Sequence, residues 1–300
     1  MQDIFAEDVG SGTSLVLIHG FLGSSDMWSP QINFFKDNFR VIVPALPGFG
    51  NSSTINSCES IECMAKVILS HLEKKKINKF NLLGHSMGGM IVQEMTRLAG
   101  DKILKLICYG TGPIGNIPGR FETIDQSREK LKINGLNDTA YRIAKIAGEK
   151  ILKLICYGTG PRGNIPGRFE TIDQSREKLK INGLDVTAHR IAKTWFIEED
   201  KAKYFYLCEQ AGKQTSIEAA DNGLVAMKNW SGISNLKKIK NKTLIIWGDQ
   251  DKAYNYSQVE TLNNNIPKSD LKIIKDCSHN VHLEKPDEFN KTVIEFLKRT

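Results

Sequence analysis

Phe80-Asn81-Leu82-Leu83-Gly84-His85-Ser86-Met87-Gly88-Gly89-Met90-Ile91-Val92-Gln93-Glu94-Met95 is the stretch that decides how this chain is built. Its first part is an apolar run of strand length, its last part has helical character, and the two meet at Gly-x-Ser-x-Gly. A serine held between strand and helix requires a very tight turn. Glycine at 84 and 88 removes the side chains that would collide when Ser86 is pushed outward. The same turn puts the Met87 amide in the first turn of the helix, where an unpaired N–H and the positive end of the helix dipole can face a developing oxyanion.

The pattern of strand followed by helix repeats outward from this point. Ser14 to His19, Arg40 to Pro44, Lys79 to Leu83, Thr243 to Trp247 and Leu271 to Lys275 read as buried strands. Between them Ser60 to Lys74 carries apolar residues at 61, 64, 65, 68, 69 and 72, Gly88 to Leu98 follows the third strand, and Asp287 to Lys298 begins behind Pro286. The expected class is α/β, a mostly parallel doubly wound sheet with helices on both faces. Thr111 to Asn235 breaks the alternation, Gly/Pro-rich at first and then helical, as an inserted cap would. The expected division is therefore core at 1–110, cap at 111–235 and core again at 236–300.

A serine hydroxyl is a weak nucleophile, so a base and an orienting acid are needed, and functional residues of such sheets sit at the carboxyl ends of strands. Gly248-Asp249-Gln250-Asp251 follows one late strand and Asp276-Cys277-Ser278-His279 the next. His279 is the expected base. Of the other histidines, His282 falls in a following turn, His71 and His189 on helix faces, His19 under the loop after its own strand, and His85 beside the nucleophile. Asp251 is preferred to Asp249 as the acid, because a tight turn after Gly248 brings the later carboxylate back over the sheet edge. A second oxyanion donor is expected from the amide of Phe21 in His19-Gly20-Phe21-Leu22-Gly23, a glycine-containing loop at another strand end.

With these residues in view the chain resembles the α/β-hydrolase fold superfamily over nearly its whole length outside a duplicated unit. Leu15-Val16-Leu17-Ile18-His19-Gly20-Phe21, Leu46-Pro47-Gly48-Phe49-Gly50-Asn51-Ser52, Gly84 to Gly89, Ile246 to Asp251 and Ser278 to Pro286 carry the likeness. Within the superfamily it looks similar to 3-oxoadipate enol-lactonases and related esterases. The resemblance implies Ser86 as nucleophile, Asp251 as acid, His279 as base, the amides of Phe21 and Met87 as oxyanion hole, and no metal or organic cofactor. Serine at 86 argues against the dehalogenase branch, which has aspartate there. Ala45 stands where the family has aspartate before Pro-Gly-x-Gly, and the short segment before Ser14 points to a missing or reduced first strand and a sheet of seven.

The expected reaction is hydrolysis of a small carboxylic ester or lactone through an acyl-enzyme. Carbon–carbon bond hydrolysis and a non-catalytic ligand-binding role on the same fold are the alternatives. Trp195, Phe196, Tyr206 and Trp230 are candidates for an apolar substrate pocket, and Arg120 or Arg168 for meeting a substrate carboxylate.

Lys102 to Lys145 and Lys150 to Lys193 match at an offset of 48 and differ at four positions, Ile114/Arg162, Asn137/Asp185, Asp138/Val186 and Tyr141/His189. Two copies are too few for a solenoid. Removing residues 102–149 takes away eight basic and five acidic residues and leaves 252 residues with net charge +4. Each copy offers the strand Ile-Leu-Lys-Leu-Ile-Cys-Tyr, at 103–109 and 151–157, and the sequence does not choose between them. Each strand runs into a G-x-G-x-x-G spacing, at 110–115 and 158–163, but Asn-Ile-Pro-Gly follows where a dinucleotide site needs a helix start.

The full chain has 300 residues, 40% hydrophobic and 25% charged, which excludes disorder and collagen. Its apolar runs fall far below the roughly 20 residues of a membrane span, and no basic, apolar leader opens the sequence, so the expected place is the cytoplasm. A net charge of +7 scattered over lysine patches without interleaved aromatics reads as solvated surface and not as a nucleic-acid face. The six cysteines show no metal-ligand spacing and are expected as free thiols. The oligomeric state is left open.

Overall fold

A computed structural model describes residues 3–99, 151–158, 160–163 and 170–298. The first repeat copy, with Arg120, and also Arg168 of the second lie outside the described residues.

Among the described residues seven strands form one sheet: β1 (Ala6–Val9), β2 (Ser14–Ile18), β3 (Arg40–Pro44), β4 (Phe80–His85), β5 (Ile151–Tyr157), β6 (Thr243–Gly248) and β7 (Ser269–Ile274). Their order is β1-β3-β2-β4-β5-β6-β7. Among the described strands only β1 runs antiparallel to its neighbour; it has four residues, in a sheet of seven where a missing or reduced first strand was expected. The central strands β2 and β4 are buried at every residue, as strands covered by helices on both faces must be, which is why they read as continuous apolar runs and not as alternating ones.

Around the sheet pack α1 (Ser29–Phe35), α2 (Ile61–Lys74), α3 (Met87–Ala99), α4 (Ile172–Lys193), α5 (Phe205–Lys213), α6 (Ile217–Asn229), α7 (Ile233–Leu236), α8 (Tyr256–Asn265), α9 (Val281–Glu284) and α10 (Pro286–Lys298). Ser60 caps α2, its side chain accepting from the Cys63 N–H at 3.1 Å, and the buried face consists of Ile61, Met64, Ala65, Ile68, Leu69 and Leu72, the apolar stripe read from the sequence. The expectation of six free thiols is corrected here. Cys58 and Cys63 are joined by a disulfide across this helix start, with Cα atoms 5.7 Å apart, while Cys208 and Cys277 are free and buried.

The second copy of the repeat supplies β5. Gly84 and His85 of β4 pair with Cys156 and Tyr157, and on its other side β5 pairs with β6. A lysine in the middle of this apolar strand has a use. Lys153 Nζ is buried and donates to the carbonyls of Phe296 at 3.0 Å and Leu297 at 2.6 Å, in the last turn of α10, where a helix leaves its carbonyls unpaired and favours a cation.

Helices α4 to α7 stand between β5 and β6. Helix α4 breaks at Gly183 (φ 74°), so it is two helices folded at one residue. Glu170, with its side chain 4% exposed, holds the two halves together through Ser175 and Lys178 on one and the two terminal guanidinium nitrogens of Arg190, Nη1 and Nη2, on the other. Among the described residues no helix is long and apolar enough to cross a membrane.

Candidate active site

At the end of β4 the chain turns into α3 through Ser86, whose φ of 54° is a left-handed conformation that L-residues avoid. The surroundings show why only glycine fits beside it. A Cβ on Gly84 would lie 2.3 Å from the Gly88 carbonyl oxygen, and one on Gly88 2.4 Å from that of Ile18. Met87 is the first residue of α3, so its N–H has no acceptor within the helix.

The loop after β2 comes up against this turn. A Cβ on Gly20 would meet the Ser86 Cβ at 2.9 Å. The loop is closed by a bond from the Gly23 N–H to the Gly20 carbonyl (3.1 Å) and by Leu22 at φ 52°, and it carries Phe21. His19 pins it from below. Complete burial pushes its pKa down to about 4, against a smaller opposing effect of the Gly20 carbonyl, so the ring is neutral: Nδ1–H donates to that carbonyl at 2.9 Å and Nε2 accepts from the Leu46 N–H at 3.0 Å. This bond braces the loop that carries Ala45.

Two strands further along, β6 and β7 deliver the other side chains. His279 Nδ1 lies 2.9 Å from Asp251 Oδ2, with the two side chains 1% and 0% exposed. Asp251 is fixed in turn: Oδ1 accepts from the N–H groups of Ala253 (2.7 Å) and Tyr254 (3.0 Å), and Trp247 Nε1 donates to the Tyr254 carbonyl at 2.8 Å. The tight turn after Gly248 is closed by the Asp251 N–H on the Gly248 carbonyl, 3.1 Å. Asp249 is the turn residue instead, accepting from the Cys277 N–H (3.4 Å) and lying 3.5 Å from Lys275 Nζ.

Register sets Gly158 beside Ser86, and His279 lies against Gly158. His85 pairs with Tyr157, so Ser86 and Gly158 leave neighbouring strand ends together, and a Cβ on Gly158 would touch His279 Cε1 and Nδ1 at 3.0 Å. Among the described residues His279 Nε2 is buried and has no hydrogen-bond partner, the Ser86 hydroxyl included. The imidazole is walled by Tyr254 (rings stacked, 5.8 Å), Trp195 (6.2 Å) and His85 (4.9 Å). Behind it His85 and His282 lie 5.0 Å apart, and His282 packs on Trp28 at 4.7 Å. Burial, with His279 second, drives both His85 and His282 well below the ordinary imidazole range and keeps them uncharged.

Ser86, His279, Asp251, Phe21 and Met87 are thus on one rim of the sheet, with Trp195 beside the imidazole. Phe196 is buried and packs its ring on Phe205, 5.9 Å away, while Tyr206 is half exposed. Trp230 makes different contacts: its Nε1 donates to Glu94 Oε2 of α3 at 3.3 Å and its ring lies against Gly232, so it ties the end of the insertion to the core. The sequence reading missed Gly158 and Tyr254. Gly158 is the first glycine of the dinucleotide-like spacing, and the strand that precedes it was the signal. Gly160 packs on Tyr254 and Gln258, and Gly163 on the Met227 carbonyl, so close packing accounts for the glycines of that run.

Comparison with known proteins gives a consistent result. The family described as the α/β hydrolase fold matches residues 13–133 and 169–286. Monoacylglycerol lipase ABHD6 of Rattus norvegicus is 24% identical over 299 residues, covering 96% of this chain and 76% of that protein. Pimeloyl-(acyl-carrier protein) methyl ester esterase of Vibrio vulnificus is 30% identical over 111 residues, 37% of this chain and 42% of its own length. Among solved structures, the enol-lactonase from Burkholderia xenovorans superposes with a TM-score of 0.74 at 20% identity, over 99% of this chain and 96% of that one.

Proposed function

Because this chain belongs to the α/β-hydrolase fold family, we propose that it hydrolyses a small carboxylic ester or lactone with Ser86 as nucleophile, His279 as base and Asp251 as the acid that orients it. Ser86 Oγ attacks the carbonyl carbon while its proton passes to His279 Nε2. The amides of Phe21 and Met87 hold the oxygen that becomes negative, and Asp251 holds the imidazolium. Collapse of the tetrahedral species breaks the bond to the alcohol oxygen, which takes the proton from His279. A water molecule, deprotonated by the same imidazole, then attacks the acyl-enzyme and releases the acid and Ser86. Nothing in this sequence requires a metal or organic cofactor.

The observation that carries the reading is the buried Asp251–His279 pair, whose outer nitrogen has no partner among the described residues and whose ring lies against Gly158, at the end of the strand beside the one that leads into the strained turn at Ser86. The three relatives named above are called a lipase, an esterase and a lactonase, which supports an ester or lactone carbonyl as the target. The helices from Ile172 to Leu236 act as a cap, and Trp195 supplies an apolar wall to the acyl group; this follows the division into core at 1–110 and 236–300 with the cap at 111–235.

A fluorophosphonate probe, which traps an activated serine, tests the assignment. Wild type is expected to label, Ser86→Ala not at all, and Asp251→Asn to lose roughly 10³–10⁴-fold in kcat/KM on a short-chain ester, while Asp249→Asn stays within a few-fold. A folded wild type that resists the probe argues for a ligand-binding protein without catalysis.

A further inference from the structure

Glu284 belongs to the stretch Ser278 to Pro286 and has no part in the steps above, yet its two oxygens join two separate regions. Oε2 accepts from the N–H of Ser278, the residue before His279, at 2.7 Å. It also accepts from Cys277 Sγ at 3.4 Å, and that thiol keeps its proton because burial and the nearby Glu284 charge push its pKa up. Oε1 accepts from the Ile197 N–H at 2.7 Å, in the loop that follows α4. Around this carboxylate the same two loops are joined directly by the Asn280 N–H, which donates to the Trp195 carbonyl at 3.0 Å, while the Ser278 hydroxyl lies between the carbonyls of Gln250 (3.4 Å) and Thr194 (3.5 Å). An ionised carboxylate is an acceptor on both oxygens, and bonds to a charged acceptor are about twice as strong as neutral ones. No neutral side chain of this length can serve both N–H groups, because a glutamine would turn a donor toward one of them.

We propose that Glu284 is a positioning residue for His279, fixing the backbone on which the imidazole stands by tying Ser278 to Ile197 and so to the insertion. The proposal rests on the reading of His279 as the base. Substituting Glu284→Gln is expected to lower kcat between about ten- and a hundredfold, the scale of a small misplacement of a catalytic group. KM should move less than twofold, and the rate of fluorophosphonate labelling should fall in parallel with kcat. The downfield proton resonance of the His279 Nδ1–H bonded to Asp251 should shift or vanish. Thermal unfolding is followed alongside, with Arg176→Ala, which breaks an ion pair to Asp221 inside the insertion, as the reference for lost stability without lost activity. Wild-type kcat and an unchanged resonance in Glu284→Gln overturn the proposal, as does a loss of kcat that Arg176→Ala reproduces at equal stability. Full labelling of His279→Ala would instead remove the base assignment itself, and that result is read independently of Glu284.

Discussion

His19 shows how much one side chain far from any reacting atom can set. Its ring joins two loops only while neutral, with one nitrogen donating and the other accepting. Its folded pKa of about 4 lies below the roughly 6.5 of an unfolded histidine, so unfolding takes up a proton at any pH between the two. The stabilisation is complete above pH 6.5 and is lost as pH falls toward 4, on the order of 3 kcal/mol over that window. His85 and His282, also buried and uncharged, act in the same direction. Thermal or urea unfolding from pH 7 to 4.5 is expected to show stability falling with acid, and His19→Gln to fall less steeply by about one proton. Residues of this kind divide sharply in how readable they are. The strained turn at Ser86 and the contact of His279 with Asp251 instead of Asp249 were legible because a tight turn and a strand end leave few options. Trp230 and Glu284 were not, because a tryptophan that packs and one that lines a pocket look alike in a sequence, and a carboxylate bridging residues 197 and 278 has no local signature.

At the level of elements, β2, β3, β4, β6 and β7 and the helices α2, α3 and α10 were legible to within two residues, since a strand buried in a covered sheet writes itself as an apolar run and a packed helix as an apolar stripe; α1, α8 and the four-residue β1 were not read. Strand β5 was left open for a different reason: 103–109 and 151–157 are identical, so no propensity or pattern separates them. The family match runs through the first and resumes within the second copy, whereas the structure gives the sheet position to the second. Lys153 turns that difference into a measurement. Because it caps the carbonyls of Phe296 and Leu297, Lys153→Met is expected to cost about 1–3 kcal/mol in urea unfolding, and Lys105→Met to stay within about 0.5 kcal/mol. Equal losses from both would mean that the two strands share the position. The Cys58–Cys63 bridge was also unreadable, because it closes a helix-start turn and not a framework of paired cysteines.

For the whole molecule, every described element lies outside residues 102–149, and a chain lacking them joins α3 to β5 through Gly100, Asp101 and Lys150. Three residues are an ordinary length for such a connection, and a long loop adds only about 0.6 kcal/mol of closure cost per doubling. The shortened chain is expected to fold, to melt within a few degrees of the full one and to label at Ser86, as calorimetry and the phosphonate probe would show. An insoluble or unlabelled product would mean that the first copy is part of the working fold. The lacing of residues 194–197 to 277–284 bears on engineering. Substrate choice in such a scaffold invites grafting of foreign helices between β5 and β6, and here the graft would have to bring along a backbone donor facing Glu284. A transplant that respects only the lining of the pocket would change turnover together with selectivity, because the recipient's histidine would have lost one of its moorings.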